Sequence, residues 1–413
     1  MFAEKNIKSA SCATSLCGTS KYSLYVSALI LVLFAAPVFG QSIHQLNYDN
    51  EVWADSNVTE LAAGVSASTM TAFYTTPNDE LHVFYSASSN NHIHQMYQQT
   101  EPILIWFDQD LTGLTDGEAA MTYSGMSGFS IGNAQYLYFC GADEAIHEYS
   151  YGNNGHWSWS DAALPTGGSD GLCGRVTGSA LGEWVIAFAA GSSGQRYVYY
   201  AVPGVDSKGD GVTLIDQLYF NGSTWSNENL TQAIQGTEGE NNTAASGFAI
   251  GSAPYIFFTG TDKHVHEFSD VSGWTDQDLT VAAKSAGVTV DGVPAAFVVP
   301  GTTQIEVYYF AAKNADIHQM TFASNKWKDT DLSSATGGSF IAQFQDIIAF
   351  PTTPNNNLHV YSEGENECED QLYYNGSSWS YQVLPSVCGS GDSGALAGFA
   401  IGNLQYVYYI VSN

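Results

Sequence analysis

From Gln41 onward the chain runs in short stretches that alternate apolar and polar residues, such as Gln135-Tyr136-Leu137-Tyr138-Phe139 and Glu306-Val307-Tyr308-Tyr309. Gly, Asn and Asp bound these stretches. A period of two over a few residues, closed by turn formers, predicts β-strands. One larger pattern repeats: a strand, a turn, I-H-Q/E with an apolar residue, a short turn, then W-x-D with an apolar residue five places after the Trp. It begins at Ile43, Ile93, Ile146, Ile215, Val265, Ile317 and Glu369. Its tryptophans are Trp53, Trp106, Trp159, Trp225, Trp274, Trp327 and Trp379, each followed by Val58, Leu111, Leu164, Leu230, Leu279, Leu332 or Leu384. The tryptophans recur about every fifty residues, the length of a four-stranded propeller blade. The longer interval between Trp159 and Trp225 contains residues 204–211 (GVDSKGDG), which read as an extended hairpin loop. Outside the first forty residues no segment reads as a helix.

The ends complete each other. The repeats open in mid-unit at Ile43-His44-Gln45 and close after Gly398-Phe399-Ala400-Ile401-Gly402, the half-unit that precedes Ile146 as residues 128–138 (GFSIGNAQYLY). A solenoid would instead cap both ends with polar faces. The expected fold is therefore all-β: a seven-bladed β-propeller with the closing blade built from both termini.

Residues 1–40 stand apart. Lys5, Lys8 and Lys21 precede an apolar run over 24–39, and the small residues Val38 and Gly40 have the spacing a signal peptidase reads. This predicts a signal peptide over 1–40, a propeller over 41–413, and a secreted, extracellular protein with no membrane insertion after cleavage. The net charge of −30 would repel nucleic acid and anionic membranes. Charged residues are only 13% of the chain, beside 25 Tyr, 21 Phe and 9 Trp. Four cysteines follow the leader, and four allow three pairings. Cys140 and Cys368 lie near the strands before a repeat tryptophan, while Cys173 and Cys388 follow one. Two similar staples within blades, Cys140–Cys173 and Cys368–Cys388, are the simplest expectation. Sequons begin at Asn57, Asn221, Asn229, Asn241 and Asn375.

The unit His82–Tyr85, His92–Tyr97 and Trp106–Thr112 (HVFY, HIHQMY, WFDQDLT) resembles that of fucose-binding propeller lectins. These comprise six-bladed fungal lectins and seven-bladed bacterial lectins of the Photorhabdus type, and the count of seven favours the second. The resemblance implies several weak sugar pockets between adjacent blades. It also implies an Arg on the R-V-Y-Y strand, a Glu on the next strand and an aromatic wall. Here the Arg column holds His82, Tyr136, Tyr197, Tyr255, Glu306, His359 and Tyr406, with Arg196 one place away. The Glu column holds Glu148 and Glu267, and elsewhere Gln45, Gln95, Gln217, Gln319 and Gln371. Without the guanidinium fork the family's strongest hydroxyl donor is missing, so a fucose-related sugar is expected less firmly than a polar-plus-aromatic pocket.

The resemblance thus assigns carbohydrate binding to Tyr136, Glu148 and Trp159, to Tyr255, Glu267 and Trp274, to His82, Gln95 and Trp106, and to Gln319 and Trp327. Each tryptophan has a plainer reading as a blade-packing residue. The column His44, His94, His147, Asp216, His266, His318 and Asp370 reads as a scaffold hydrogen bond. In His92/His94 and His264/His266 the second histidine belongs to that column and no third ligand is evident, so no metal is assigned. There is no G-x-S-x-G elbow, P-loop, H-E-x-x-H or sialidase Asp-box. No catalytic residue or cofactor is expected. The leading expectation is a secreted, multivalent, non-catalytic lectin whose partners are glycans or glycoproteins. A lyase or glycosidase acting at the central channel and a protein-interaction propeller are the alternatives.

Overall fold

The computed structural model describes residues 41–49, 52–76, 79–99, 105–122, 124–152, 158–166, 173, 184–191, 194–241, 243–289, 292–313, 316–338, 340, 346–364, 368–385 and 396–412. Its strands form seven four-stranded antiparallel sheets, each a blade. Blade one runs Ala67–Thr75, Glu80–Ala87, Ile93–Gln99 and Ile105–Asp110 from inner to outer strand. Blades two to six span 126–163, 185–229, 245–278, 295–331 and 348–383. Blade seven takes its inner strands, Leu396–Ile401 and Leu404–Ser412, from the end of the chain. Its outer strands, Gln41–Asp49 and Val52–Asn57, come from the start. The two halves pair antiparallel from Gln41↔Ser412 to Tyr48↔Gln405 without a bulge. The inner strands contact one another in sequence around the ring, blade seven returning to blade one. The propeller and its closure by both termini are as expected. The leader over 1–40 lies outside the described residues.

The second strand of each blade is buried on both faces, as in Glu80–Ala87, where every residue from Leu81 on is buried. That explains the aromatic residues at successive positions there. The outermost strands instead alternate, as in Trp225–Asn229. The glycine of the G-F-x-I-G segment has a packing reason. A Cβ on Gly128 would lie 2.6 Å from Phe73 of blade one, so only glycine lets the inner strands approach this closely.

Short helices correct the expectation of none. Five one-turn helices, Val58–Ala62, Leu111–Thr115, Leu230–Ile234, Leu279–Ala283 and Leu332–Thr336, leave the outer strands. At each, an Asn or Asp side chain accepts the hydrogen bond of a first-turn amide, as Asn57 does from Glu60 N and Asp278 from Val281 N. The following Val or Leu is fully buried. The next hydroxyl accepts from the I-H-Q strand: Thr59 from Ile43 N, Thr112 from Ile93 N, Thr231 from Ile215 N, Thr280 from Val265 N and Ser333 from Ile317 N. Five residues are too few to show a helical period. The legible signal was the capping residue itself.

Blades two and six continue with Leu164-Pro165 and Leu384-Pro385 in place of the capped turn. These are also the blades with cysteines. Cys140 and Cys173 are joined as expected, 33 residues apart in sequence. Cys368 is disulfide-bonded, but Cys388 lies outside the described residues. The 204–211 insertion extends a hairpin as expected, with strands Gln195–Val205 and Gly211–Phe220 paired to Val205↔Gly211.

Candidate functional site

The histidine column finds its partner in the Asp of W-x-D. Nδ1 lies 3.1 Å from the carboxylate in His44–Asp55, 2.9 Å in His94–Asp108, His147–Asp161 and His266–Asp276, and 2.8 Å in His318–Asp329. Where the histidine becomes Asp216 or Asp370, the W-x-D position becomes Asn227 or Tyr381: Tyr381 donates to Asp370 at 2.6 Å, whereas Asn227 reaches Asp216 through the Tyr200 hydroxyl, donating to it at 2.7 Å while that hydroxyl donates to Asp216 at 3.4 Å. Both members change together, which avoids two facing carboxylates. The column ties third strand to fourth, as the scaffold reading expected. Burial works against a charged His147, but the hydrogen bonds it donates to Asp161 and Asp143 prevail and hold its pKa above the usual value. His266, between Asp276 and Asp262, is raised in the same way.

The tryptophans pack across the seams between blades. Trp159 stands edge-on to Phe84, Trp225 to Tyr138, Trp274 to Tyr199, Trp379 to Tyr308, Trp53 to Tyr361 and Trp106 to Tyr408, with ring centroids 5.7–6.4 Å apart. Trp327 joins the same cluster as Phe257. Each belongs with the aromatics of the preceding blade. Glu148 and Tyr136 therefore share a seam with Trp225, not Trp159. Glu267 and Tyr255 meet Trp327 rather than Trp274, His82 and Gln95 meet Trp159 rather than Trp106, and Gln319 meets Trp379 rather than Trp327.

Among the described residues, side chains at one register position of the second strand bridge three of these seams. Between blades two and three, Arg196 Nη1 donates to Glu148 Oε2 at 2.6 Å and to Tyr138 Oη at 3.2 Å. Its guanidinium lies 4.4 Å from the Tyr136 ring centroid, 4.3 Å from Phe220 and 5.1 Å from Trp225. Gln95 Nε2 donates to Gln135 Oε1 at 2.8 Å across the seam of blades one and two. Gln371 Nε2 reaches Gln405 Oε1 at 3.0 Å across that of six and seven. Gln135, Arg196 and Gln405 occupy one register position, held by Leu81, Pro254, Ile305 and Leu358 in the other blades. In the sequence Arg196 stands one place away from the Arg column. Successive strand residues face opposite sides, so Tyr197 faces blade four while Arg196 turns back to blade two.

In two blades the column beside it holds a histidine that stays neutral. Burial drives the pKa of His82 and His359 down to about 3. The neutral rings accept from Gln95 and Gln371 at Nδ1, 2.9 Å in both cases, and face Thr75 and Thr352 through Nε2. Glu267 and Glu306 are buried, and burial pushes both pKa values up against hydrogen bonds that lower them. Most of the assigned residues are buried: His82, Gln95, Trp106, Tyr136, Glu148, Glu267 and Gln319. Trp159, Tyr255, Trp274 and Trp327 are half-buried.

No protein-family model and no curated protein matches this chain. Solved structures do. A lectin from Burkholderia pseudomallei matches with a TM-score of 0.55 at 13% identity, over 84% of this chain and 96% of its own. A triple arginine-to-alanine mutant of AofleA from Arthrobotrys oligospora gives 0.50 at 14% identity, over 89% and 93%. A lectin from Aleuria aurantia, described as a six-bladed β-propeller with a novel fucose recognition mode, gives 0.48 at 15%, over 78% and 98%. At these identities the likeness is one of fold. The chain is a seven-bladed β-propeller, similar in architecture to lectin propellers.

Proposed function

We propose that this protein is a secreted, multivalent, non-catalytic carbohydrate-binding propeller, with sugars seated at the mouths of the seams. The observation that carries the reading is the recurrence of one arrangement at every seam. A Gln or Glu of one blade, with an aromatic, a histidine or, in blade five, Glu306 beside it, lies at a seam with a tryptophan of the next. The half-buried tryptophans offer ring faces suited to the C–H side of a pyranose. The buried Gln and Glu beneath supply acceptors. Repetition favours binding over catalysis, because a single active site requires one seam or one channel mouth to differ strongly from the rest. Weak sites around a ring gain avidity on a glycan-bearing surface.

The seam of blades four and five is the best placed, because Glu267 there has no guanidinium partner among the described residues. The test begins with a glycan array on the purified protein, followed by calorimetry with the glycan found. Glu267→Gln is expected to reduce the number of occupied sites or their mean affinity while leaving the melting temperature nearly unchanged. An array with no bound glycan under multivalent display overturns the reading.

A further inference from the structure

Blade four carries a cluster that the seams do not explain. Asp262 and His264 lie in the turn between its second and third strands, and Asp278 ends its fourth strand. One ligand atom from each residue lies within 4.8 Å of the other two. We propose that Asp262, His264 and Asp278 bind a divalent transition-metal ion of the Zn²⁺ type. His264 Nδ1 is 2.7 Å from Asp278 Oδ2 and 3.5 Å from Asp262 Oδ2. Ligand atoms bound about 2.1 Å from a tetrahedral zinc stand roughly 3.4 Å apart, and these two distances bracket that spacing. The metal takes the place of the His264–Asp278 hydrogen bond, and the imidazole keeps its single proton on Nε2.

The carboxylates are held by their other oxygens. Asp278 Oδ1 accepts from Val281 N at 2.9 Å as the helix cap. Asp262 Oδ1 accepts from His264 N at 3.1 Å. The adjacent cation, Lys263, is paired with Glu240 at 2.7 Å and leaves the two carboxylates to the site. An imidazole with two carboxylates suits a borderline transition metal better than Ca²⁺, which takes six to eight oxygens. The ligands are part-exposed, so solvent completes the coordination.

The repeat accounts for Asp278, a cap, and for Asp262, which also contacts His266 Nε2 at 3.3 Å. It does not account for His264. That position holds Ser42, Ala145, Leu214, Asp316 and Cys368 in five other blades. Blade one alone repeats the histidine, and it provides an internal control. His92 Nδ1 lies 2.9 Å from Asp110 Oδ2, and His92 N donates to Asn90 at 3.1 Å. The layout is the same, with an amide where blade four has the carboxylate of Asp262.

The full protein, stripped with a chelator, is titrated with Zn²⁺ by calorimetry. One site is expected, weakened about tenfold or more by Asp262→Asn and by His264→Ala, and unchanged by His92→Ala. Melting curves without zinc check that the variants fold, and Asp262→Asn reproduces what blade one already carries. Absence of zinc binding, binding that survives both blade-four changes, or binding lost with His92→Ala overturns the proposal.

Discussion

Glu148 and Glu267 occupy the same register position in blades two and four, yet their surroundings are opposite. Glu148 neutralises a buried guanidinium, one of two arginines in the chain. Glu267 is buried without such a partner among the described residues, and burial raises its pKa. Removing one member of a buried ion pair leaves the other charge desolvated, at a cost of about 3–5 kcal/mol. Glu148→Ala should therefore destabilise the protein by that amount in urea denaturation, whereas Glu267→Gln should change stability by less than about 1 kcal/mol. Equal losses would mean that Arg196 finds another acceptor once Glu148 is gone. The consequence for sugar binding is practical: a loss of binding in Glu148→Ala cannot be separated from loss of fold, and Glu267 is the cleaner probe.

The capped turn ending five blades shows how one short segment serves several ends. In D/N-L-T the first residue caps, the second fills the core, and the third receives a backbone amide from the I-H-Q strand. Two of the sequons, at Asn57 and Asn229, are this motif written with asparagine. Those at Asn221 and Asn375 are hairpin turns in which the asparagine oxygen accepts from amides two and three residues on. Their spacing follows from turn chemistry alone. Asn229 Oδ1 accepts from Gln232 N at 2.9 Å, so Asn229→Ala should cost about 1 kcal/mol. Asn229→Asp should retain the cap. The comparison is made by chemical denaturation of bacterially produced protein, and a cost shared by both variants would remove the capping explanation.

Across the whole molecule the buried carboxylates set a pH dependence. Glu369 takes the slot that Ile43, Ile93, Ile146, Ile215, Val265 and Ile317 fill with fully buried aliphatics, and it pairs across the strand with Glu363. Burial, and then the charges of Glu363, Asp370 and Asp346, raise its pKa to about 8. Burial also raises Asp216 to about 7, and Asp346 and Asp370 to about 6. Unfolded, these groups ionise near pH 4. The native state therefore holds extra protons between about pH 4 and 8, and stability falls as pH rises through that window. His82 and His359 act oppositely, losing stability as pH falls below about 6.5, where an unfolded imidazole takes up its proton. From pH 6 to 8.5 the carboxylates dominate, and the expected loss is on the order of 3 kcal/mol. Scanning calorimetry should show a lower Tm at pH 8.5 than at pH 6, with the difference largely removed by Glu369→Ile, which restores the residue of the repeat. A wild-type Tm that rises over this interval would contradict the assignment.

The sequence by itself determined the strands, the number of blades, the joining of the ends and the Cys140–Cys173 bond. The first three rest on local alternation or on a period repeated seven times, and the bond on the like placement of two cysteines within one blade. The sequence also aligned each column at one register position, because register within a blade is fixed by hairpins. It assigned each tryptophan to its own blade, and it left Arg196 unused. Those were decided by tertiary structure. A seam joins residues roughly one repeat apart in the chain, and the pleat alone decides which of two adjacent side chains enters which seam. The meeting of Asp262, His264 and Asp278 has the same cause: a turn and a strand end that are not adjacent in sequence are brought together when the blade's third and fourth strands pair.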